Sequence, residues 1–263
     1  MTKLPLFLMT GLWAAAGLWA QVPDIYTQEM HGDPPFLSQP EWKPLLNGRD
    51  LSGWHSADGK PHEWVATRSV NFKRIFDPKR LSFNAEPGDR IVNGKKGVTS
   101  DLMSDEKFGD CELYLEFMMA RGSNSGVFMH SHYELQIFDS YGYTGHLQVG
   151  DNGGIYRRLD GTGGAPPRVN ASRPPGDWQS LQIWFRAPRF DASGKKISNA
   201  TFLRVLLNEV LVQENVEMQG PTGRHFELPE ATANPLLLQG DHGPVAFRNI
   251  YIRPLQPAAA AGH

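Results

Sequence analysis

Between Asn124 and Tyr141 the chain reads NSGVFMHSHYELQIFDSY, and its apolar and polar residues alternate. With a period of two, Val127, Met129, Tyr133, Leu135 and Ile137 share one face. Phe128, His130, His132, Glu134, Gln136 and Phe138 share the other. Strand side chains project alternately to opposite faces, so this segment is committed to a sheet with one apolar face. The opposite face carries two histidines, a carboxylate and an amide between aromatic rings, where a plain solvent face would carry Lys, Thr and Ser. It predicts the floor of a polar binding groove.

The remainder supports an all-β chain. From Trp42 onward, short apolar runs are separated by Gly, Pro, Asn and Asp: Arg90–Val92, Leu113–Met119, Ser180–Phe185, Phe202–Val212, Leu236–Gln239 and Val245–Ile252. In one clean alternation Glu112, Tyr114, Glu116 and Met118 oppose Leu113, Leu115 and Phe117. In another, Phe202, Arg204, Leu206, Asn208 and Val210 oppose Leu203, Val205, Leu207, Glu209 and Leu211. Both read as half-buried antiparallel strands. With no long amphipathic helix and no repeat, the pattern predicts an all-β sandwich. Gly150–Gly176, Ala187–Asn199 and Gln219–Pro235 are too long for simple turns and read as functional or flexible loops.

Residues 1–20 have the form of a secretory signal: Lys3, an apolar run over Leu4–Trp19, and Ala20 before Gln21. The run is short for a span of about 20 residues, and no Lys/Arg cluster follows it. Export with cleavage is expected, leaving no membrane anchor and a periplasmic or secreted protein. Residues 21–41 read as an extended lead-in, 42–254 as one domain and 255–263 as a tail. Removal of Lys3 takes the net charge from −2 to −3, a balance that argues against nucleic-acid or anionic-membrane partners. Cys111 is the single cysteine, so no internal disulfide forms. That suits a bacterial exported protein.

Several side chains could carry chemistry. Glu134 and Asp139 are the most suggestive carboxylates. Five residues apart, they face opposite sides of an ideal strand unless a bulge re-aims Asp139, which reads equally as a turn former before Ser140. His130, His132 and Glu134, at i, i+2 and i+4, could hold a divalent metal ion. In the preferred alternative, His130-Ser131-His132 is a hairpin turn, with Asn124–Phe128 paired to Glu134–Phe138. His242 lies in a tight polar turn, Gln239–Gly243, where it could line a site or cap the turn. Arg248, inside an apolar strand, needs a carboxylate or carbonyl partner. Arg121 and Asn124 make a donor-rich loop suited to sugar hydroxyls. Trp42, Trp54, Trp64, Trp178 and Trp184 could stack on sugars, but most read as core, Trp184 most clearly. Nucleophile elbows, phosphate loops and dinucleotide fingerprints are absent.

The motifs LLNGRDLSGW (Leu45–Trp54), GDCELYLEFMMARGSNSGVF (Gly109–Phe128), YELQIFDSYG (Tyr133–Gly142), GGIY (Gly153–Tyr156), GDWQSLQIWF (Gly176–Phe185) and LLLQGDHGPVAFRNIYIRP (Leu236–Pro254) occur in that order. Together they resemble the 3-keto-disaccharide hydrolase domain family over about Trp42–Pro254. The resemblance implies a concanavalin A-like jelly-roll sandwich of two antiparallel sheets, acting on oligosaccharides or glycosides whose glucose is oxidised at C3. It also implies catalytic roles for Glu134, Asp139 and His242, and substrate contacts through Arg121, Asn124, Ser125, Gln136 and Gln239. The chain departs from the family pattern at Asn208-Glu209, which replaces Asn-Gly, and at an extra Gly240 before Asp241. A C3 ketone acidifies the C2 proton, so a base can open an elimination at C1. Glu134 or His242 is the expected base, with Arg121 or a divalent cation stabilising the enediolate. A non-catalytic, lectin-like module is the alternative that this fold also permits.

Overall fold

The computed structural model describes Gln39, residues 41–222 and residues 228–255. The expected signal segment, most of the expected lead-in and the expected tail beyond Leu255 lie outside the described residues. Strands account for all the regular structure described, in two antiparallel sheets with two small hairpins. The larger sheet runs Val210–Met218, Ala200–Leu207, Gln179–Arg186, Cys111–Met119, Val245–Pro254, Arg90–Val92 and Val65–Thr67, with Lys43–Pro44 beside Val245–Pro254. The smaller runs Tyr133–Phe138, Asn124–Met129, Asn234–Leu238, Leu102–Phe108 and Trp54–Ser56. Between them lies one apolar core: Leu113, Leu115 and Phe117 from one sheet, Val127, Leu135 and Ile137 from the other. The molecule is the expected jelly-roll sandwich.

The structure corrects the sequence in four places. The strand Cys111–Met119 is buried on both faces rather than half-buried. At the Met118 end its second face is covered by the hairpin Val70–Lys73/Asp77–Phe83, whose Val70, Phe72 and Leu81 pack on Met118, Ala120, Trp178 and Ala246. Under this cover Arg248 finds its partner: Nε donates to Glu116 Oε2 at 2.6 Å, with the guanidinium 4.3 Å over the Trp178 ring. Second, Phe202–Val212 is not one strand. Asn208 and Glu209, with φ of 51° and 68°, turn the chain between Ala200–Leu207 and Val210–Met218. A register shift also separates Phe202 from the alternation of Val205 and Leu207 and sends all three into the core. Third, Trp184 is not core. It lies half-buried on the outer face, 5.4 Å under the Arg204 guanidinium, while Leu181, Ile183 and Phe185 face inward. Fourth, Ala187–Asn199 is no open loop but contains the hairpin Arg189–Phe190/Lys196–Ser198.

Candidate functional site: the outer face of the smaller sheet

The segment Asn124–Phe138 folds as a hairpin, with Glu134 opposite Phe128, Gln136 opposite Gly126 and Phe138 opposite Asn124. His130, Ser131 and His132 form the turn, and φ of 56° and 58° at His130 and Ser131 reverses the chain. Three loop residues keep the two strands in phase, so Val127 and Met129 still share the core face with Tyr133, Leu135 and Ile137. Both histidines therefore leave the groove face. His130 is 2% exposed, its ring edge-on to Phe185 at 5.0 Å, and burial pushes its pKa down to about 4. Among the described residues, no three His, Cys, Asp or Glu side chains are arranged to hold a metal ion. The expected set of His130, His132 and Glu134 does not form such a grouping.

On the outer face of this sheet the paired residues form rows. Glu134, Phe128, Leu237 and Met103 make one row across four strands. Gln136 and Gly126 begin the next. Gln239 continues it: its N–H donates to Gly126 O at 2.9 Å, and Asp101 follows, one residue beyond the pair Leu238–Leu102. Phe128, Leu237 and Met103 pack together as an apolar strip, and Glu134 stands at its end. The Glu134 carboxylate leans over Gly126, and with the Gln136 amide turned so that its nitrogen faces the neighbouring acceptors, Nε2–H donates to Glu134 Oε1 at 2.8 Å and to Ser125 O at 3.2 Å. Gln239 Oε1 is buried and accepts no hydrogen bond among the described residues. A buried carboxylate flanked by amides can take a proton and bind hydroxyl or enolate oxygens.

The long loop after Gly150 completes the groove. Gly153 N–H donates to Gln136 O (2.9 Å), Gln136 N–H to Gly154 O (2.8 Å) and Tyr156 N–H to Glu134 O (3.1 Å). The segment thereby lengthens the sheet past its edge and buries Ile155 in the core, which turns Tyr156 outward. Asn124, Gln136, Phe138, Gln148, Tyr156 and Arg157 line a cleft of about 520 Å³. Tyr156 and Arg157 were missed from sequence. The GGIY motif was the available signal, but only the docking of the loop gives it a place in the site.

The other expected residues fall in two groups. Asn124 lines the cleft. Asp139 serves the neighbouring turn: its Oδ2 accepts the Gly122 N–H at 2.8 Å. Arg121 is exposed at the same end, its N–H donating to Pro78 O at 2.7 Å. His242 is also at this end, beside the Asp241 carboxylate, with nearly half of its side chain exposed. The extra Gly240 is absorbed by backbone contacts: its N–H donates to Asp101 Oδ1 (2.8 Å) and its carbonyl accepts from Thr99 N (2.9 Å). Ser125 is a correction. It points away from the groove, 1% exposed, and its hydroxyl donates to Gln239 O at 2.8 Å. As Glu134 and Phe138 are four residues apart, the Asn124–His242 end lies roughly 14 Å from Glu134 along the strand. Glu134 and His242 are therefore not placed to act on one carbon atom.

Residues 41–253 match the model of the 3-keto-alpha-glucoside-1,2-lyase-like domain. The chain belongs to that family. Among solved structures, a candidate glycosyl hydrolase from Parabacteroides distasonis ATCC 8503 is similar at 27% identity and a TM-score of 0.60, over 82% of this chain and 84% of that one. Two further candidate glycosyl hydrolases from the same organism share the fold. One has 22% identity and a TM-score of 0.53, covering 82% of this chain and all (100%) of that one. The other has 17% identity and a TM-score of 0.51, covering 85% and 98%. No curated protein sequence matches. The family is a glycosyl hydrolase-like one that acts on carbohydrate.

Proposed function

We propose that the protein is an exported enzyme that cleaves 3-keto-glucosides, with Glu134 as the base. The observation that carries this reading is the setting of Glu134: a carboxylate 5% exposed, on the groove face, over a glycine and beside an amide that donates to it. Glu134 takes the C2 proton, and the C2–H electron pair forms an enolate on the C3 oxygen. The enolate collapses to the C3 ketone as a C1=C2 bond forms and the C1–O bond breaks. The departing alkoxide takes the proton back from Glu134. Water then adds its oxygen at C1 and a proton at C2, so the sum is hydrolysis. The amide of Gln239, in the row beside Glu134, suits the enolate oxygen, Gln136 holds the Glu134 carboxylate in place, and the rings of Phe138 and Tyr156 suit the sugar faces.

The test is turnover of a 3-keto-glucoside and of its unoxidised parent by the purified protein, before and after EDTA. The expected result is cleavage of the keto substrate alone, with Glu134→Gln slower by about 10²–10⁴-fold. Full turnover by Glu134→Gln would overturn the base assignment. Retention of both sugars without cleavage would make the protein a lectin-like module. Loss of turnover in EDTA would transfer enolate stabilisation from the Gln239 amide to a cation.

A further inference from the structure

The hairpin Val70–Lys73/Asp77–Phe83 does more than cover the larger sheet. Its inner residues are anchored by the packing of Phe72 and Leu81 described above. At its tip, however, Ile75 and Phe76 are 65% and 76% exposed, and they are adjacent in sequence. Two neighbouring large apolar side chains exposed together at a hairpin tip form the kind of patch that marks an interaction surface. Around them stand Lys73, Arg74, Lys79 and Arg80 against Asp77 and against Asp177, which pairs with Arg74 at 3.3 Å and leaves Lys73, Lys79 and Arg80 in excess. Beside them Lys73, Phe76, Arg80 and Lys95 help to line a cleft of about 450 Å³. The overall charge of −2 hides this local segregation.

We propose that this hairpin is a peripheral docking element for an anionic lipid surface. Ile75 and Phe76 enter the headgroup boundary while the surrounding Lys and Arg side chains meet lipid phosphates. Insertion of apolar side chains together with attraction of basic ones is the combination that holds proteins at such interfaces. A soluble polyanion would use the charges but would leave Ile75 and Phe76 in water, so the exposed pair favours lipid. The groove face lies on the other sheet, so this surface does not depend on the reading of Glu134.

The test places an environment-sensitive fluorophore on Ile75→Cys in the full chain. Cys111 is 2% exposed, so the new thiol is labelled selectively. A control label goes on Ser193→Cys, in the hairpin at the opposite end of the strand Gln179–Arg186 from Trp178. Vesicles of phosphatidylcholine mixed with phosphatidylglycerol are expected to brighten the label at 75 and leave the label at 193 unchanged. Phosphatidylcholine alone, or high salt, is expected to abolish the response. Lys79→Gln/Arg80→Gln should weaken partition roughly 25-fold and Phe76→Ser about tenfold, both with unchanged melting temperature. An unresponsive label at 75, equal responses to both vesicle types, or equal responses at 75 and 193 would each overturn the proposal. So would dextran sulfate brightening the label as fully as vesicles do.

Discussion

The carboxylate of Glu134 occupies the space above Gly126: a methyl group added at Gly126 would lie 2.7 Å from Glu134 Oε1 and 3.1 Å from its Cγ. Gly126 is needed for that vacancy and not for its backbone angles, since it is absent from the positive-φ positions. Alanine at 126 must push Glu134 off its site, or press on Phe128, whose Cε2 would be 3.2 Å away. Gly126→Ala is expected to lower kcat on a 3-keto-glucoside about 100-fold, because a displacement near 1 Å is enough for that loss. Stability should change by no more than about 1 kcal/mol, as Ala restores some strand preference. Full activity in this variant would mean that the position of Glu134 is not what the reaction depends on.

Ser125 and Gln136 share a segment but not a function. The Ser125 hydroxyl is spent inside the sandwich on the Gln239 carbonyl, so Ser125→Ala removes a buried bond worth about 1–2 kcal/mol. Its melting temperature should fall by roughly 2–8 °C with KM unchanged. Gln136→Leu also loses buried bonds and should cost about 1–3 kcal/mol, but unlike Ser125→Ala it should lower kcat as well. A raised KM in Ser125→Ala would return Ser125 to the substrate.

His130 links stability to pH. Burial against Phe185 and Tyr133 keeps it neutral and lowers its pKa from 6.5 to about 4. The unfolded chain therefore binds the extra proton first. The folded state is at full strength above about pH 6.5 and loses stability as pH falls through that value toward 4. The whole effect is on the order of 3 kcal/mol. Asn tolerates the left-handed backbone found here, so His130→Asn should keep the turn and flatten the slope of urea-unfolding stability across this window. An unchanged slope would assign the acid sensitivity to other groups.

The sequence showed the hairpin because its signal is local: alternation, turn composition and three loop residues all lie within fifteen positions of one another. It placed Glu134 and Gln136 on one face for the same reason. It could not show that this face of Cys111–Met119 is buried, since Met118 is covered by residues 70–83 and Glu112 and Glu116 by Arg253 and Arg248, all far away in the chain. Nor did Gly126, Asp101 or Tyr156 stand out. A glycine in a strand gains meaning only from the carboxylate above it, and Tyr156 only from its loop pairing with the strand edge. The histidines misled because period two was carried straight through a turn.

The larger sheet's buried ion pair gives a final contrast. Glu116 receives Arg248 at 2.6 Å, Tyr114 Oη–H at 2.9 Å and Asn249 Nδ2–H at 3.1 Å. Arg248 has the Trp178 ring at 4.3 Å as its other neighbour. Removing either charge leaves the other buried and uncompensated, a loss of about 3–5 kcal/mol. Glu116→Gln should be the more damaging change, because only a neutral amide oxygen and a ring face then answer the guanidinium. Arg248→Met leaves Glu116 two neutral donors and should cost about 3 kcal/mol. In the double variant no charge remains, so urea unfolding should recover at least half of the summed single losses. Strict additivity would show that the two side chains do not act as a pair. Turnover should follow the folded fraction in all three variants, since the pair belongs to the sheet opposite Glu134.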